Sequence, residues 1–211
     1  MNLKSYLIFI FLIISIALTH DSKYCGYDEV IEQIDNANPG FKASTDFIYD
    51  IAKKHGNDNG SRDIVYKIPI VFHIVYNNDA QNLPDYVIES QVQVLNDHFR
   101  RQHSSVNQTR EEFLPFASDI EIEFELASED PNGNPTSGIT HTYTSQSGFP
   151  YISIWDIFTG NITLDNVKSS SSGGVDAWDT NRYLNIWVCN IEESFLGQVL
   201  GFAYPPTNVN E

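Results

Sequence analysis

Apolar and polar positions divide the chain into segments of different kinds. Ile68-Pro-Ile-Val-Phe-His-Ile-Val-Tyr76 is apolar on both faces, which predicts a central strand covered on two sides. From about Asp85 to Arg101 the residues Ile88, Val92, Leu95 and Phe99 recur at helical spacing. They make one stripe for packing on a sheet, with Asp85 as the expected N-cap. Asp119 to Leu126 alternates, with Ile120, Ile122, Phe124 and Leu126 directed inward and Glu121, Glu123 and Glu125 outward into solvent. Strand, helix, strand is a βαβ unit, whose crossover places two parallel strands in one sheet with a right-handed turn. Farther on, Tyr183-Leu-Asn-Ile-Trp-Val-Cys189 sets Leu184, Ile186 and Val188 against Asn185, Trp187 and Cys189. This reads as a strand inside a sheet, with partners on both sides, fed by the loop Gly173-Gly-Val-Asp-Ala-Trp178. The glycine pair gives backbone freedom where two indoles, Trp178 and Trp187, must be placed.

Other stretches carry weaker patterns. Within residues 21 to 62, Val30, Ile31 and Ile34 suit one short helical face and Phe47, Ile48 and Ile51 another, with Asn36 to Gly40 interrupting them. His55-Gly-Asn-Asp-Asn-Gly-Ser61 is a turn-rich linker and a natural proteolysis site. Asp130-Pro-Asn-Gly-Asn-Pro135 is turn chemistry. Residues 139 to 167 read as a long aromatic, Thr-rich insertion with a strand and a loose excursion, and Ser169 to Ser172 as a low-complexity bend. Nothing repeats internally.

Composition narrows the setting. At 211 residues the chain suffices for one sizeable core, or for a domain with a small appendage. Leu7 to Leu18 is apolar except for Ser15, the length of a signal-peptide core rather than a membrane span. Residues 1–19 are therefore expected to be a secretory signal, with an uncleaved anchor as the other reading, and no later segment has the pattern of a span. Twenty-eight acidic against twelve basic residues give a net charge of -16, which repels phosphate backbones and anionic lipid. Nucleic acid is excluded as a natural partner, and so is a membrane after signal cleavage. The acidity leaves calcium open as a further ion, but no spacing supports it: counting from Asp130, the sixth position of an EF-hand loop would be Pro135 and the twelfth His141. Two cysteines, Cys25 and Cys189, are too few for a disulfide scaffold, so the core must hold the fold. Asn59, Asn107 and Asn161 open glycosylation sequons, which act only in a host that uses them.

A search for catalytic chemistry returns no complete set. A hydrolytic zinc site needs two histidines one helical turn apart and a third ligand, leaving one position for water. No HExxH occurs, and His98 and His103 are spaced off one helical face. His73, inside an apolar strand, reads as a hydrogen-bonded core residue before a ligand. A G-x-S-x-G elbow and a glycine-rich phosphate loop are both missing, and no two carboxylates stand out as a glycosidase pair.

Taken together, several stretches resemble one known family. Ile68 to Tyr76, Leu95-Asn-Asp-His-Phe-Arg100, Ile122-Glu-Phe-Glu-Leu-Ala127, Asp130 to Ile139, Gly173 to Trp178 and Tyr183 to Val188 resemble, in order and across roughly residues 24 to 206, the pappalysin-type secreted zinc metalloproteases of the metzincin group. The resemblance implies an α/β (α+β) fold, a twisted mixed sheet with backing helices that forms the upper subdomain of the catalytic domain. It implies residues 20–62 as pro-segment and linker and 63–211 as the amino-terminal part of the protease. In that family the zinc motif HExxHxxGxxH follows farther along. Zinc is thus implied for the complete protein and not expected in this chain alone, for which no catalytic residue is assigned.

The resemblance also gives roles to two further segments. Lys23-Tyr-Cys-Gly-Tyr-Asp28 looks like the family's pro-segment motif, in which the Cys25 thiolate would occupy the fourth zinc position and keep the zymogen latent. Beside it stand two plainer readings, a lone cysteine near a processed terminus and a Cys25–Cys189 disulfide. Leu200-Gly-Phe-Ala-Tyr-Pro-Pro206 resembles the edge strand that pairs its backbone with substrate, which would make Leu200, Gly201, Phe202 and Ala203 substrate-binding residues. Pro-segment removal is expected near Arg62. The function implied is part of a secreted, extracellular zinc metalloendopeptidase acting on protein or peptide, inactive as this chain. The rival is a secreted, non-catalytic peptide-binding module that keeps the sheet and its edge strand.

Overall fold

Tyr66–Tyr76 forms β1, and residues 70 to 75 within it are all buried, so both faces of this strand are covered as its unbroken apolar run requires. The structure is a computed structural model that describes residues 31–32, 35–36, 39–55, 64–150, 166–193, 200–201 and 203. They belong to two compact units, one of Asn59–Ser147 with Asn166–Asn190, the other of Met1–Asp58, Gly148–Asp165 and Ile191–Glu211.

In the first unit, β1 is the axis of a parallel sheet. Its first half pairs with β2 (Ile122–Leu126), Tyr66 opposite Ile122, and its second half with β3 (Ile139–Tyr143), Phe72 opposite Ile139. β5 (Leu184–Val188) pairs with Ile70 to Ile74. Apart from Val71, the residues of β1 that face β5 on one side face β2 or β3 on the other, so β2 and β3 lie end to end along one side of β1. The fold class is α/β as expected, and every ladder between the described strands is parallel. The sequence predicts neighbours on both sides of β5, but among the described residues its ladder is to β1 alone, and Leu184 is exposed.

Two backbone details fix this arrangement. The N–H groups of Tyr66 and Phe72 donate to Glu121 (2.8 Å) and Gly138 (2.9 Å), so even-numbered residues of β1 serve the β2/β3 side and odd-numbered residues the β5 side. Pro69, which has no N–H to give, therefore falls on the β5 side one residue ahead of the first β5 partner, where none is needed. Between β2 and β3 the chain leaves the sheet and returns, closing the neck through Ala127 N–H to Ile70 O (2.9 Å). At that neck Gly138 has φ +71°, and a Cβ on it would lie 2.6 Å from the Ala127 nitrogen, so no other residue fits.

Helix α2 (Asp85–Phe99) crosses between β1 and β2, completing the βαβ unit. Its stripe packs as the spacing predicts: Ile88 and Val92 are buried with Ile70, Phe72, Ile74, Phe124 and Ile139, while Leu95 and Phe99 flank them. Each such side chain contributes roughly 1.5–3 kcal/mol by leaving water. Asn96 adds a contact that the pattern does not show, its Oδ1 accepting the Phe124 N–H (2.7 Å) and its Nδ2 donating to the Phe124 carbonyl (2.9 Å). The side-chain amide thus stands in for a neighbouring strand on the outer edge of β2.

Several expectations need correction. The N-cap of α2 is Pro84, not Asp85, because the Asp85 carboxylate is turned to His141 (2.7 Å). The helix ends at Phe99 rather than Arg101, which adopts φ +52°. Ile120 is exposed and lies before β2, since Glu121 turns the chain at φ +60°. The β2 glutamates are not simply solvated: Glu123 pairs with Arg100, which also holds Asp119 through Nε (3.0 Å), and Glu125 pairs with Lys67.

The second unit contains α1 (Phe41–His55), with Ile31, Glu32, Asp35 and Asn36 helical before it. The Asp35 carboxylate accepts the N–H groups of Lys42 (2.8 Å) and Gly40 (3.2 Å), which otherwise lack partners at a helix start. The inward face of α1 carries Thr45, Ile48 and Ile51, whereas Phe47 is exposed, contrary to expectation. The short strands β4 (Phe149–Pro150) and β6 (Ile191–Glu192) pair in parallel. The residue 139–167 stretch is thus partly regular, contributing β3 and β4, and residues 151–165 lie outside the described set. Among the described residues no helix is long and apolar enough to cross a membrane.

Candidate functional site

Odd-numbered residues of β1 point to the face opposite α2, and there a polar cluster forms around His73. Val71 packs with Ala127 and Tyr183, flanked by Trp178. Beside it His73 is fully buried between Trp178 and Trp187, whose ring centres lie 6.0 and 5.3 Å away. Burial pushes the His73 imidazole below its ordinary value, with the hydrogen bond to Asn185 opposing. It is the hydrogen-bonded core histidine that its apolar strand predicts.

Proton positions in this cluster follow from which groups can only donate. The Trp178 N–H donates to the Asn185 side chain (2.7 Å), so the atom there is Oδ1, and Nδ2 donates to the carbonyls of Trp178 (3.0 Å) and Tyr183 (3.2 Å). The same Oδ1 lies 3.0 Å from His73 Nε2, which must therefore carry a proton. Nδ1 then accepts from Thr140 Oγ1 (2.9 Å). One amide on β5 thereby ties the central strand to both ends of the Trp178–Tyr183 turn. Trp187 Nε1–H donates to the Val175 carbonyl (2.9 Å), and Tyr183 Oη–H to the Glu129 carbonyl (3.0 Å).

The loop entering this cluster is built, not a low-complexity bend as the serine run suggests. Asn166–Lys168 and Ser170–Ser172 are 3-10 turns, closed by Val175 N–H to Val167 O (2.9 Å) and Gly174 N–H to Ser169 O (2.9 Å). Asp176 reaches back to Ser170, accepting its hydroxyl (2.6 Å) and its N–H (2.9 Å), and these donors hold the Asp176 carboxyl below the usual carboxylate range. Gly174 is packed against the Val167 carbonyl with no room for a Cβ, and Gly173 has φ +85°.

Outside the carboxyl ends of β1 and β5 lies an open cavity of about 230 Å³, lined by Gln81, Leu83, Val188, Cys189 and Asn190. Gln81 and Asn190 are already engaged: the Gln81 side chain accepts the Asn77 N–H (2.8 Å), and Asn190 Nδ2 donates to Ser147 O (2.9 Å). Cys189 carries a free thiol, which burial pushes up to about 11. Its thiolate fraction at neutral pH is then roughly a hundredth of an exposed cysteine's, since each pH unit is tenfold. Native protein treated with iodoacetamide at pH 8 should accordingly be alkylated at Cys189 about a hundredfold more slowly than after unfolding in urea. Equal rates would show that the thiol is not shielded as the structure has it.

Other candidate groups are satisfied locally. Asp130 Oδ1 accepts the N–H groups of Asn134 (2.9 Å) and Asn132 (2.8 Å), which with the Asn134 side chain hold its carboxyl low and close its own turn. His98 and His103, spaced off one helical face, stack at 4.3 Å because the chain turns back after Phe99. His141 is held between Asn82 (2.6 Å) and Asp85 (2.7 Å). Among the described residues no three His, Cys, Asp or Glu side chains form a group able to hold a metal ion, so the zinc implied by resemblance finds no donor set there. Of the expected site residues, Cys25 and Phe202 lie outside the described residues; Leu200, Gly201 and Ala203 lie outside any strand, with Leu200 exposed and open space around Gly201. Of the cluster that the fold does assemble, His73, Thr140, Asn185 and Trp178, the sequence singled out His73 as a core residue and Trp178 as a side chain to be placed, but not Thr140 or Asn185.

No protein-family model matches the chain, and no curated protein does. Solved structures do. A promirolysin mutant of Tannerella forsythia is 40% identical over 86% of this chain and 53% of its own, with a TM-score of 0.64. Mature mirolysin of Tannerella forsythia in complex with a cleaved peptide is 47% identical over 63% of this chain and 45% of its own, at 0.54. Mirolysin in complex with a compound is 48% identical over 62% and 44%, at 0.55. The chain thus spans about half the length of the structures it matches, and its sheet and helices are similar in fold to the corresponding part of promirolysin.

Proposed function

We propose that this chain is the amino-terminal part of a secreted, extracellular zinc metalloendopeptidase of the pappalysin type, made as a zymogen. The observation that carries the reading is the 40% identity to promirolysin across 86% of the chain. Against mirolysin the covered share falls to 62–63%, a loss of about a quarter of the chain. A zymogen carries a pro-segment that its mature form lacks. The difference is what a pro-segment in this chain would give, which we assign to residues 20–62 with their linker, after a signal peptide over 1–19 and ahead of 63–211 as part of the catalytic domain. A cleaved peptide in the mature mirolysin structure supports a protein or peptide substrate here.

Within this reading the described sheet is the rigid backing of an active site. β1 is locked from both faces and α2 seals the edge of β2, so strain from a bound substrate meets a packed core. Leu200 to Ala203 supply backbone groups to substrate, and Cys25 is the thiolate that silences the zinc of the latent form. The zinc itself belongs to donors other than the described residues. The isolated 211-residue chain is therefore expected to bind no stoichiometric zinc and to show no chelator-sensitive proteolysis, whereas the processed product of the full natural gene cleaves peptide bonds until a chelator is added. Chelator-sensitive cleavage by the isolated chain, or none by the processed full product, would contradict the proposal.

A further inference from the structure

We infer that His73 is an acid-sensitive latch: its neutral ring holds Asn185, and through Asn185 the Trp178–Tyr183 turn, and acidification of the medium releases that turn from the sheet. The inference rests on the geometry of the cluster and is independent of the protease reading. His73 is the only histidine in the described residues that is fully buried, and its Nε2–H is the donor that completes the environment of Asn185 Oδ1. That oxygen and its amide nitrogen are in turn the side-chain partners of the Trp178 N–H, the Trp178 carbonyl and the Tyr183 carbonyl.

The surroundings of the ring decide the direction of the effect. From β3 it is faced by Thr140, from β5 by Asn185 and Trp187, and from the turn by Trp178. None of these four is an acid. The ionisable groups that touch these two indoles are Tyr183, stacked edgewise on Trp178 at 5.2 Å, and Lys168, whose ammonium lies 5.7 Å from the centre of the Trp187 ring. Lys168 is itself a cation, so among these described neighbours none offers a counter-ion to a positive charge at His73. Burial is the leading cause of the lowered imidazole value, in agreement with this placement.

The sign follows by linkage. With the turn closed the ring stays neutral; with the turn open it meets water and takes up a proton below the ordinary histidine value of about 6.5. The closed state is thus at full strength above that pH and loses up to about tenfold in its ratio to the open state per pH unit as the pH falls below it, until the closed-state value is reached. An open turn frees Trp178 and Tyr183 from the face they cover.

Hydrogen exchange on the whole chain tests this, read at the Trp178 amide, whose bond runs to Asn185 alone. Between pH 7.5 and 5 the protection of that amide, corrected for intrinsic rates, is expected to fall by up to tenfold per unit below pH 6.5. His73→Gln keeps a donor and an acceptor in place of the ring and should abolish the fall. Constant protection in the natural protein, or an equal fall in the variant, would overturn the latch. Should His73→Gln fail to fold, the ring resonances of His73 decide: proton uptake in step with loss of Trp178 protection supports the latch, and uptake with protection intact overturns it.

Discussion

Replacing Asn185 with leucine is expected to lower the stability of the chain by about 3–5 kcal/mol, or Tm by roughly 10 °C, although the two side chains share the same branching of heavy atoms. The Asn185 amide serves four groups: the Trp178 N–H and carbonyl, the Tyr183 carbonyl and His73 Nε2–H. A leucine answers none of them, and each buried group left without a partner costs about 1–3 kcal/mol, partly recovered as water enters. Against a total stability of about 5–15 kcal/mol this is a large share. Asn185→Asp separates the contributions, since it keeps an acceptor for Trp178 N–H and His73 but sets a carboxylate oxygen against two carbonyls. It should fall between the natural protein and Asn185→Leu in a urea titration. A loss below about 1 kcal/mol for Asn185→Leu would mean that the amide is not the tie it is drawn as here.

The second large effect is expected at Gly174. A Cβ there collides with the Val167 carbonyl, and that carbonyl cannot yield because it accepts the Val175 N–H (2.9 Å). Gly174→Ala therefore has to open the ring of bonds over residues 166–176, at a cost of roughly 3 kcal/mol or more. Its neighbour behaves differently. Gly173 has a positive φ, which costs an alanine about 1–2 kcal/mol, and the atoms nearest its Cβ belong to the side chains of Thr144 and Gln146, which can give way. Thermal unfolding should rank Gly174→Ala well below Gly173→Ala, and the reverse order would show that the loop is held by φ rather than by close approach.

How much of this was written in the sequence varies with the range of the interaction. β1 and the stripe of α2 were legible because their pattern is local: an unbroken apolar run needs two covered faces, and Ile88, Val92, Leu95 and Phe99 repeat along one helix. The βαβ unit follows from those two and β2. What escaped depends on partners far along the chain. Asp85 looked like an N-cap because the side chain that claims it, His141, comes from β3. Ile120 fitted the alternation of β2, but Glu121 turns the chain at positive φ and leaves it exposed. Glu123 and Glu125 fitted a solvated face, yet Arg100 and Lys67 reach them. Asn96 and Asn185 passed as ordinary polar positions, although each puts both ends of its amide on backbone groups, Asn96 on those of β2 and Asn185 on those of the turn just before its own strand. An asparagine at a half-buried position beside an otherwise apolar pattern was the available signal. The serine run before Gly173 misled because its order comes from Asp176 and from Val167, not from the serines' own composition.

The central claim, a zymogen whose residues 20–62 hold a zinc endopeptidase latent, is tested most directly by following activation of the secreted product of the full natural gene. Peptide cleavage, its abolition by a chelator and the amino-terminal sequence are read from the same samples over time. The account predicts a silent precursor containing Cys25, and chelator-sensitive activity that rises in step with a new amino terminus close to Arg62. A precursor already as active as the processed form, or processing near Arg62 with no gain in cleavage, would contradict it.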